Sequence, residues 1–352
     1  MSNSKQILFY FGHPAQFLFA KNTIRLLKEK GCKTHLLIKT KEVLENLIIS
    51  EGFDYENILN EGRKDSSIGM LAGLLKRDFR ILQYVRKYNI DLMIGTDPAL
   101  SHVGKLMGIP VITVLEDDCD VIPKLVKLTY PYTSHIFAPT VCRVGEKYQH
   151  KKISYEGYMK LAYLHPSYFT PDVSKKPESK KPYILIRLAK LTAHHDDNIK
   201  GIDFSLIDQI IEMTEKKYQI FINSEESLPD KYEKFKLSID PKDMHHVLNF
   251  AELFISDSQS MTVEAAMLGV PSIRYSDFIG KISVIEELEH KYDLTVSVKP
   301  PDIKSLVDQI DFFLNKKDLK QIFQDRRKKM LSEKVDVTEL LTNLIISYPE
   351  LP

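Results

Sequence analysis

Three cysteines in 352 residues, Cys32, Cys119 and Cys142, share no paired spacing, so neither a disulfide framework nor a zinc site is indicated. Charge of one sign is also missing. Lys+Arg of 49 against Asp+Glu of 48 leaves a formal net charge of +1, which removes the overall positive field that recruits nucleic acid. Long hydrophobic runs are absent too: the N-terminal MSNSKQILFYFGHP holds one short apolar strand and nothing of signal-peptide length, and no segment approaches a membrane span. A cytoplasmic protein is expected. What remains is 43% hydrophobic content over a length that accommodates two domains, each with its own core.

From residue 6 onward, short β-rich runs alternate with longer amphipathic stretches, the mark of a parallel sheet covered by helices. Strands are expected at Ile7 to Phe11, Thr34 to Ile38, Ile90 to Gly95, Val111 to Leu115 and His135 to Ala138, with helices at Ala15 to Lys30 and Leu74 to Tyr88. These make a doubly wound first domain over 1–165. The run PSYFTPDVSKKPESKKP, rich in Pro, Lys and Ser, reads as a linker over 166–182. A second series over 183–335 has strands at Tyr183 to Leu188, Gln219 to Ile222, Leu253 to Ile255 and Ser272 to Tyr275, with helices at Phe204 to Lys217, Asp302 to Leu314 and Leu319 to Leu331. A last apolar helix, Val337 to Ser347 within 336–352, is placed to cross back to the first domain.

The stretch MHHVLNFAELFISDSQSMTVEAAMLGVPSIR, Met244 to Arg274, carries the most chemistry. It reads as helix, buried strand, polar turn and helix, with Gly269 and Pro271 as the stop. A helix that starts just beyond the carboxyl end of a parallel strand points free backbone N–H groups at a crevice and favours phosphate. Ser258 and Ser260 supply ordinary N-caps whether or not a ligand is present. Glu264, one turn in, is either an acidic residue complementing the helix dipole or an acceptor for two ribose hydroxyls. His245 and His246 are adjacent, so on a helix they point about 100° apart and do not converge on one metal ion. His245 is assigned instead to a nucleobase pocket, and Asp117-Asp118-Cys119-Asp120 is likewise not taken as a metal site.

Two doubly wound domains, a His-bearing loop after the first strand and a polar turn with a Glu-bearing helix in the second together resemble the GT-B superfamily, which holds nucleotide-sugar glycosyltransferases and UDP-N-acetylglucosamine 2-epimerases. More closely, GHPAQFLFAKNTIRLLKEKG at 12–31, EGYMKLAYLHPSYF at 156–169, PKDMHHVLNFAELFISDS at 241–258 and GKISVIEELEHKY at 280–292 resemble a prokaryotic domain-of-unknown-function family of that superfamily. The implied fold is α/β, GT-B-like, with two Rossmann-like domains facing a central cleft. Asp257-Ser258 and Glu264 match the epimerase signature Asp-Ser-Gly-Gly-x-x-x-Glu, with Gln259 and Ser260 in place of its glycines. Thr192-Ala193-His194 and Asn198 resemble Thr-x-His-Arg-x-Glu-Asn, with His195 at the arginine. The first loop, Gly12-His13-Pro14, lacks the epimerase arginine, and no Arg-Pro-Glu follows Arg274.

Ligands of open α/β sheets lie outside the carboxyl ends of the strands. His13, Asp97, Glu116 and Asp117 follow strands of the first domain; Arg187 ends the first strand of the second, with His194, His195 and Asp196 beyond it. A glycosyltransferase needs a base for the acceptor hydroxyl, and His13 oriented by Asp117 has the right ordinary pKa, although a loop histidine bonded to backbone is the plainer reading. Arg187 within an apolar strand needs a counter-charge, which a diphosphate supplies. His195 and Asp196 are assigned to sugar hydroxyls, and Ser224, Gln259, Ser260, Met261 and Arg274 complete the nucleotide-sugar set with Ser258, His245 and Glu264. The resemblance implies no cofactor and no required metal. The expected activity is a glycosyltransferase using a UDP-sugar on a glycan or lipid-linked acceptor in surface polysaccharide or glycoconjugate assembly. The rivals are a UDP-N-acetylglucosamine 2-epimerase built on Asp97, Glu116 and His194, and a non-catalytic nucleotide-sugar-binding protein. An oligomer is left open. The stretch Ile68 to Lys87 is either a helix packed on its own sheet or, through Lys76, Arg77, Arg80, Arg86 and Lys87, a peripheral contact with an anionic inner leaflet.

Overall fold

In a computed structural model of the chain, the alternation of apolar and amphipathic segments becomes two parallel sheets in separate units. Residues 4–39, 42–59, 67–189 and 201–348 are described. One unit is Met1–Tyr168 with Val335–Pro352, the other Phe169–Lys334, so the division falls inside the Pro-Lys-Ser-rich stretch.

The first unit runs β1 (Gln6–Phe11), α1 (Pro14–Glu29), β2 (Lys33–Lys39), α2 (Glu42–Ser50), β3 (Glu56–Leu59), α3 (Ser67–Tyr88), β4 (Leu92–Gly95), α4 (Pro98–Met107), β5 (Val111–Val114), α5 (Pro123–Thr129), β6 (His135–Pro139), β7 (Lys152–Tyr155) and α6 (Leu161–Leu164). The seven strands, in the order β3-β2-β1-β4-β5-β6-β7, pair only in parallel. Central strands are buried along their length, which is why they read as continuous apolar runs rather than alternating ones. Strand order reverses between β1 and β4, and the loops beyond those two strands therefore flank a crevice. Gly95 closes β4 there: a Cβ would stand 2.8 Å from the Tyr10 carbonyl oxygen of β1, so a side chain would push the two strands apart.

The second unit contains β8 (Tyr183–Leu188), α7 (Phe204–Thr214), β9 (Gln219–Ser224), α8 (Met244–Phe250), β10 (Leu253–Ser256), α9 (Gln259–Leu268), β11 (Ser272–Tyr275), α10 (Ser283–His290), β12 (Val296–Val298), α11 (Ile303–Asn315) and α12 (Leu319–Glu333). Its sheet, β12-β11-β10-β8-β9, is again parallel throughout and reverses between β8 and β10. Every residue of α9 from Met261 to Leu268 is buried, because small and apolar residues surround its axis on all sides. Gly269 ends it in the left-handed region, φ 67°. From α12, Gln324 Nε2 donates to the Leu268 and Gly269 carbonyls and Arg327 Nε to Met267 O, so the last carbonyls of α9 are satisfied and its start is fixed in place.

The last helix, α13 (Val337–Ser347), belongs to the first unit and packs on α1. Thr338 Oγ1 (3.0 Å) and Asn22 Nδ2 (2.8 Å) both donate to Ala162 O, and Lys5 Nζ donates to Ile345 O (2.7 Å), a cation at the negative end of the helix.

Burial holds His35 below its ordinary pKa of 6.5; its ring bonds Tyr84 Oη (3.0 Å) and Gln6 Oε1 (2.9 Å). A folded-state pKa below the unfolded one means the unfolded chain binds the extra proton. His35 therefore contributes stability above about pH 6.5 that is lost as the pH falls through its folded value. In denaturant unfolding, the wild type is expected to lose stability relative to His35→Gln below pH 6.5, by about 1.4 kcal/mol for each unit of depression. A pH-independent difference would remove this assignment.

Candidate functional site

In the second unit one level of the sheet is polar from edge to edge. Ser297, Arg274, Ser256, Arg187 and Asn223 stand in register across β12, β11, β10, β8 and β9, so their side chains leave the same face near the carboxyl ends of the strands. The counter-charge that an arginine in an apolar strand demands is present for Arg187: Nη2 meets Glu225 Oε1 at 2.5 Å and Nη1 bonds Asn223 Oδ1, while the buried Nε meets no hydrogen-bond partner among the described residues. Arg274 has no accessible surface. Its Nε donates to Ser297 Oγ (3.0 Å) and its Nη1 to Gln259 Oε1 (2.6 Å), and among the described residues Nη2 has no hydrogen-bond partner, the Glu286 carboxylate being 4.0 Å away. Burial lowers the Arg274 pKa, opposed by Glu289 and Glu286.

Between the two arginines, β10 turns into α9. The helix begins at Gln259, and of the two serines that the sequence offers as N-caps it is Ser258 that takes the role, its hydroxyl facing the Met261 N–H at 3.4 Å. The Ser258 N–H is held by Ser256 Oγ (2.8 Å). Gln259 and Ser260 are the first helical residues, half-buried, and their N–H groups have no acceptor within the helix. Asp257 accepts from the N–H groups of Ala189 (2.7 Å) and Ile202 (3.3 Å), and burial raises its carboxyl pKa against those bonds. Glu264 is 6% exposed, with Oε1 3.4 Å from His245 Nε2. The neighbouring His246 turns elsewhere, accepting from the Asp172 N–H (3.0 Å) and lying against the Phe169 ring. Ser224 spends its hydroxyl on the Glu226 N–H (3.1 Å) in the turn after β9.

In the first unit, the loops after β1, β4 and β5 hold a second group. His13 is the N-cap of α1 and accepts from the Ala15 N–H through Nδ1 (3.2 Å). Asp97 caps α4 through the Ala99 N–H (3.0 Å) and meets Arg77 Nε at 3.3 Å and Lys39 Nζ at 3.9 Å. Glu116 accepts from the Met159 N–H (2.6 Å) and from the buried Lys160 Nζ (3.0 Å). Asp117 is exposed, yet desolvation still heads the causes raising its carboxyl pKa, with Lys160 opposing and Glu116 and Asp118 adding. Asp118 is fully buried on the Arg143 N–H (2.7 Å), a loop-building role.

Ser258, Gln259, Ser260, Met261, Glu264, His245 and Arg274 thus gather around the start of α9, with Arg187 one strand beyond β10. Ser224 is engaged in its own turn. His194, His195 and Asp196 lie outside the described residues, in the stretch whose flanks, Ala189 and Ile202, both bond Asp257. Lys39, Arg77 and Lys160 were not singled out as site residues by the sequence. Lys39 carried a usable signal, a basic residue at the end of a strand; Arg77 and Lys160 find their carboxylates 20 and 44 residues away.

No family model matches the chain, and no curated protein matches it. Solved structures do. A co-structure of S. aureus MnaA with UDP is similar with a TM-score of 0.70 at 13% identity, covering 99% of this chain and 98% of that one. The UDP-GlcNAc 2-epimerase from Neisseria meningitidis bound to UDP-GlcNAc gives 0.69 at 12% identity, covering 97% and 100%. MurG of Acinetobacter baumannii gives 0.61 at 13% identity, covering 97% and 99%. At these identities the likeness is one of fold: the chain has the GT-B fold, two Rossmann-like units, each on its own parallel sheet.

Proposed function

We propose that this protein is an enzyme acting on a nucleotide-diphosphate sugar, most simply a glycosyltransferase with a UDP-sugar donor serving surface polysaccharide or glycoconjugate synthesis. One observation carries the nucleotide part of that reading. The start of α9 leaves the Gln259 and Ser260 N–H groups without helical acceptors just past the carboxyl end of β10, with Glu264 and His245 3.4 Å apart one turn further on, and a helix start so placed calls for an anion. A diphosphate on the Gln259 and Ser260 N–H groups places a ribose one turn further along, toward Glu264, and His245 beside Glu264 offers a flat face to a base. The similar structures with UDP and with UDP-GlcNAc bound support the same ligand class.

The first unit supplies the acceptor-side groups in this reading. Because Nδ1 of His13 accepts an N–H bond, the neutral ring carries its proton on Nε2 and acts as a donor. Asp117, exposed in the loop after β5 with desolvation raising its carboxyl pKa, is the carboxylate offered as the base. A 2-epimerase remains the second reading, because Asp97 and Glu116 follow the adjacent strands β4 and β5 and each sits beside a cation. Incubation with UDP-GlcNAc alone separates the two. A transferase leaves the sugar unchanged by NMR until an acceptor is added, whereas appearance of UDP-ManNAc without one makes the epimerase reading correct. Affinity with no turnover, unchanged by Asp117→Ala, would mean a binding protein.

Among the described residues no helix is long and apolar enough to cross a membrane. Leu75 and Phe79, one turn apart on α3, are each 59% exposed, and Arg86 and Lys87 are exposed further along the helix. This pattern supports contact with an anionic bilayer, where a lipid-linked acceptor resides. Co-sedimentation with anionic vesicles is expected and should fall with added salt; no binding at low salt would rule out the contact.

A further inference from the structure

We infer that Arg274 is a positioning residue: together with Ser276 it holds the Gln259 side chain away from the first N–H groups of α9, where a diphosphate is to bind. This rests on the nucleotide-diphosphate reading above and explains how the site dispenses with glycine at 259. The matching signature has two glycines after Asp-Ser, and glycine leaves nothing to cover the backbone. Glutamine at the first helical position lies beside the unsatisfied N–H donors of the helix start, and its amide oxygen is an acceptor of the kind they lack. An unrestrained Gln259 would contend with phosphate for the same groups.

The structure occupies both ends of that amide. Gln259 Oε1 takes a charge-assisted bond from Arg274 Nη1 at 2.6 Å, and Nε2 donates to Ser276 Oγ at 2.7 Å. Ser276 is 3% exposed and also receives the Phe278 N–H, so it is fixed in turn. Arg274 is steadied from behind by Ser297, whose hydroxyl and N–H are both bound by Glu289 (2.5 and 2.8 Å). A guanidinium with no accessible surface, whose Nη2 meets no hydrogen-bond partner among the described residues, is costly to keep, and the Glu286 carboxylate, 4.0 Å away, neutralises it only weakly. Its two hydrogen bonds go to Ser297 and to Gln259, so the service that distinguishes it is the hold on the amide.

A positioning role and a purely electrostatic one separate in a double-mutant cycle. UDP affinity is measured by calorimetry for Arg274→Met and Ser276→Ala, each in the wild-type and in the Gln259→Gly background, with thermal melts to confirm folding. Arg274→Met is expected to weaken UDP at least tenfold when Gln259 is present and less than threefold when glycine stands there. Ser276→Ala should follow the same pattern with a smaller loss, and it decides the matter if Arg274→Met does not fold. Equal losses in both backgrounds would overturn the inference, because Arg274 would then act through its charge or through the fold. A wild-type protein that binds UDP but shows a flat cycle refutes only this inference. A wild type that binds no UDP or other nucleoside diphosphate refutes the functional reading beneath it.

Discussion

Glu264→Gln is expected to weaken UDP about 10- to 100-fold while changing inorganic pyrophosphate affinity less than threefold. A carboxylate accepting two ribose hydroxyls makes charge-assisted bonds, and losing the charge and one acceptor removes about 1.5–3 kcal/mol. The carboxylate is buried and one oxygen already faces His245 Nε2 at 3.4 Å, so glutamine fills the same space and leaves the packing of α9 intact. Pyrophosphate is the control because it reaches the first N–H groups of the helix and lacks a ribose. Equal losses for both ligands would show that Glu264 supports the helix rather than the nucleoside.

Asp257→Ala is expected to cost about 2–4 kcal/mol in denaturant unfolding, since the Ala189 and Ile202 N–H groups lose their acceptor together. Asp257→Asn should cost about half of that, because one amide oxygen still accepts. The pH dependence has a definite sign. Burial raises the Asp257 pKa in the folded protein, so the native state takes up the proton first, and the carboxylate opposes folding above its folded value. The alanine penalty should therefore grow as the pH falls from neutrality through that raised value, and a penalty that shrinks instead would contradict the assignment.

Most of both sheets was legible because their central strands are buried on both faces and announce themselves as apolar runs. The missed strands, β3 (ENIL), β7 (KISY) and β12 (VSV), are sheet edges, where exposure permits Glu, Asn, Lys and Ser and erases that pattern. Which serine caps α9 was settled by the backbone, but the presence of the helix was readable from local signals alone: a cap serine, an acidic residue one turn on and a glycine at the close. The state of its arginines was not. That Arg274 is sealed and tied to Gln259, and that Arg187 is neutralised by Glu225, follows from which strands lie side by side, and spacing along the chain does not report strand order. The same holds for Asp97 with Arg77 and Glu116 with Lys160. His13 had the right ordinary pKa for a base, but its capping bond decides which nitrogen keeps the proton, and only the backbone geometry reveals that bond.

The central claim, that the second unit holds a nucleoside diphosphate at the start of α9, meets its most direct test in a calorimetric titration of the full chain with UDP. Saturable one-site binding is predicted, with a Kd of about 1 µM to 1 mM, the span within which enzyme KM values generally fall, strongly weakened by Glu264→Gln. No heat and no competition from UDP, UDP-GlcNAc or other nucleoside diphosphates at millimolar concentration would contradict it.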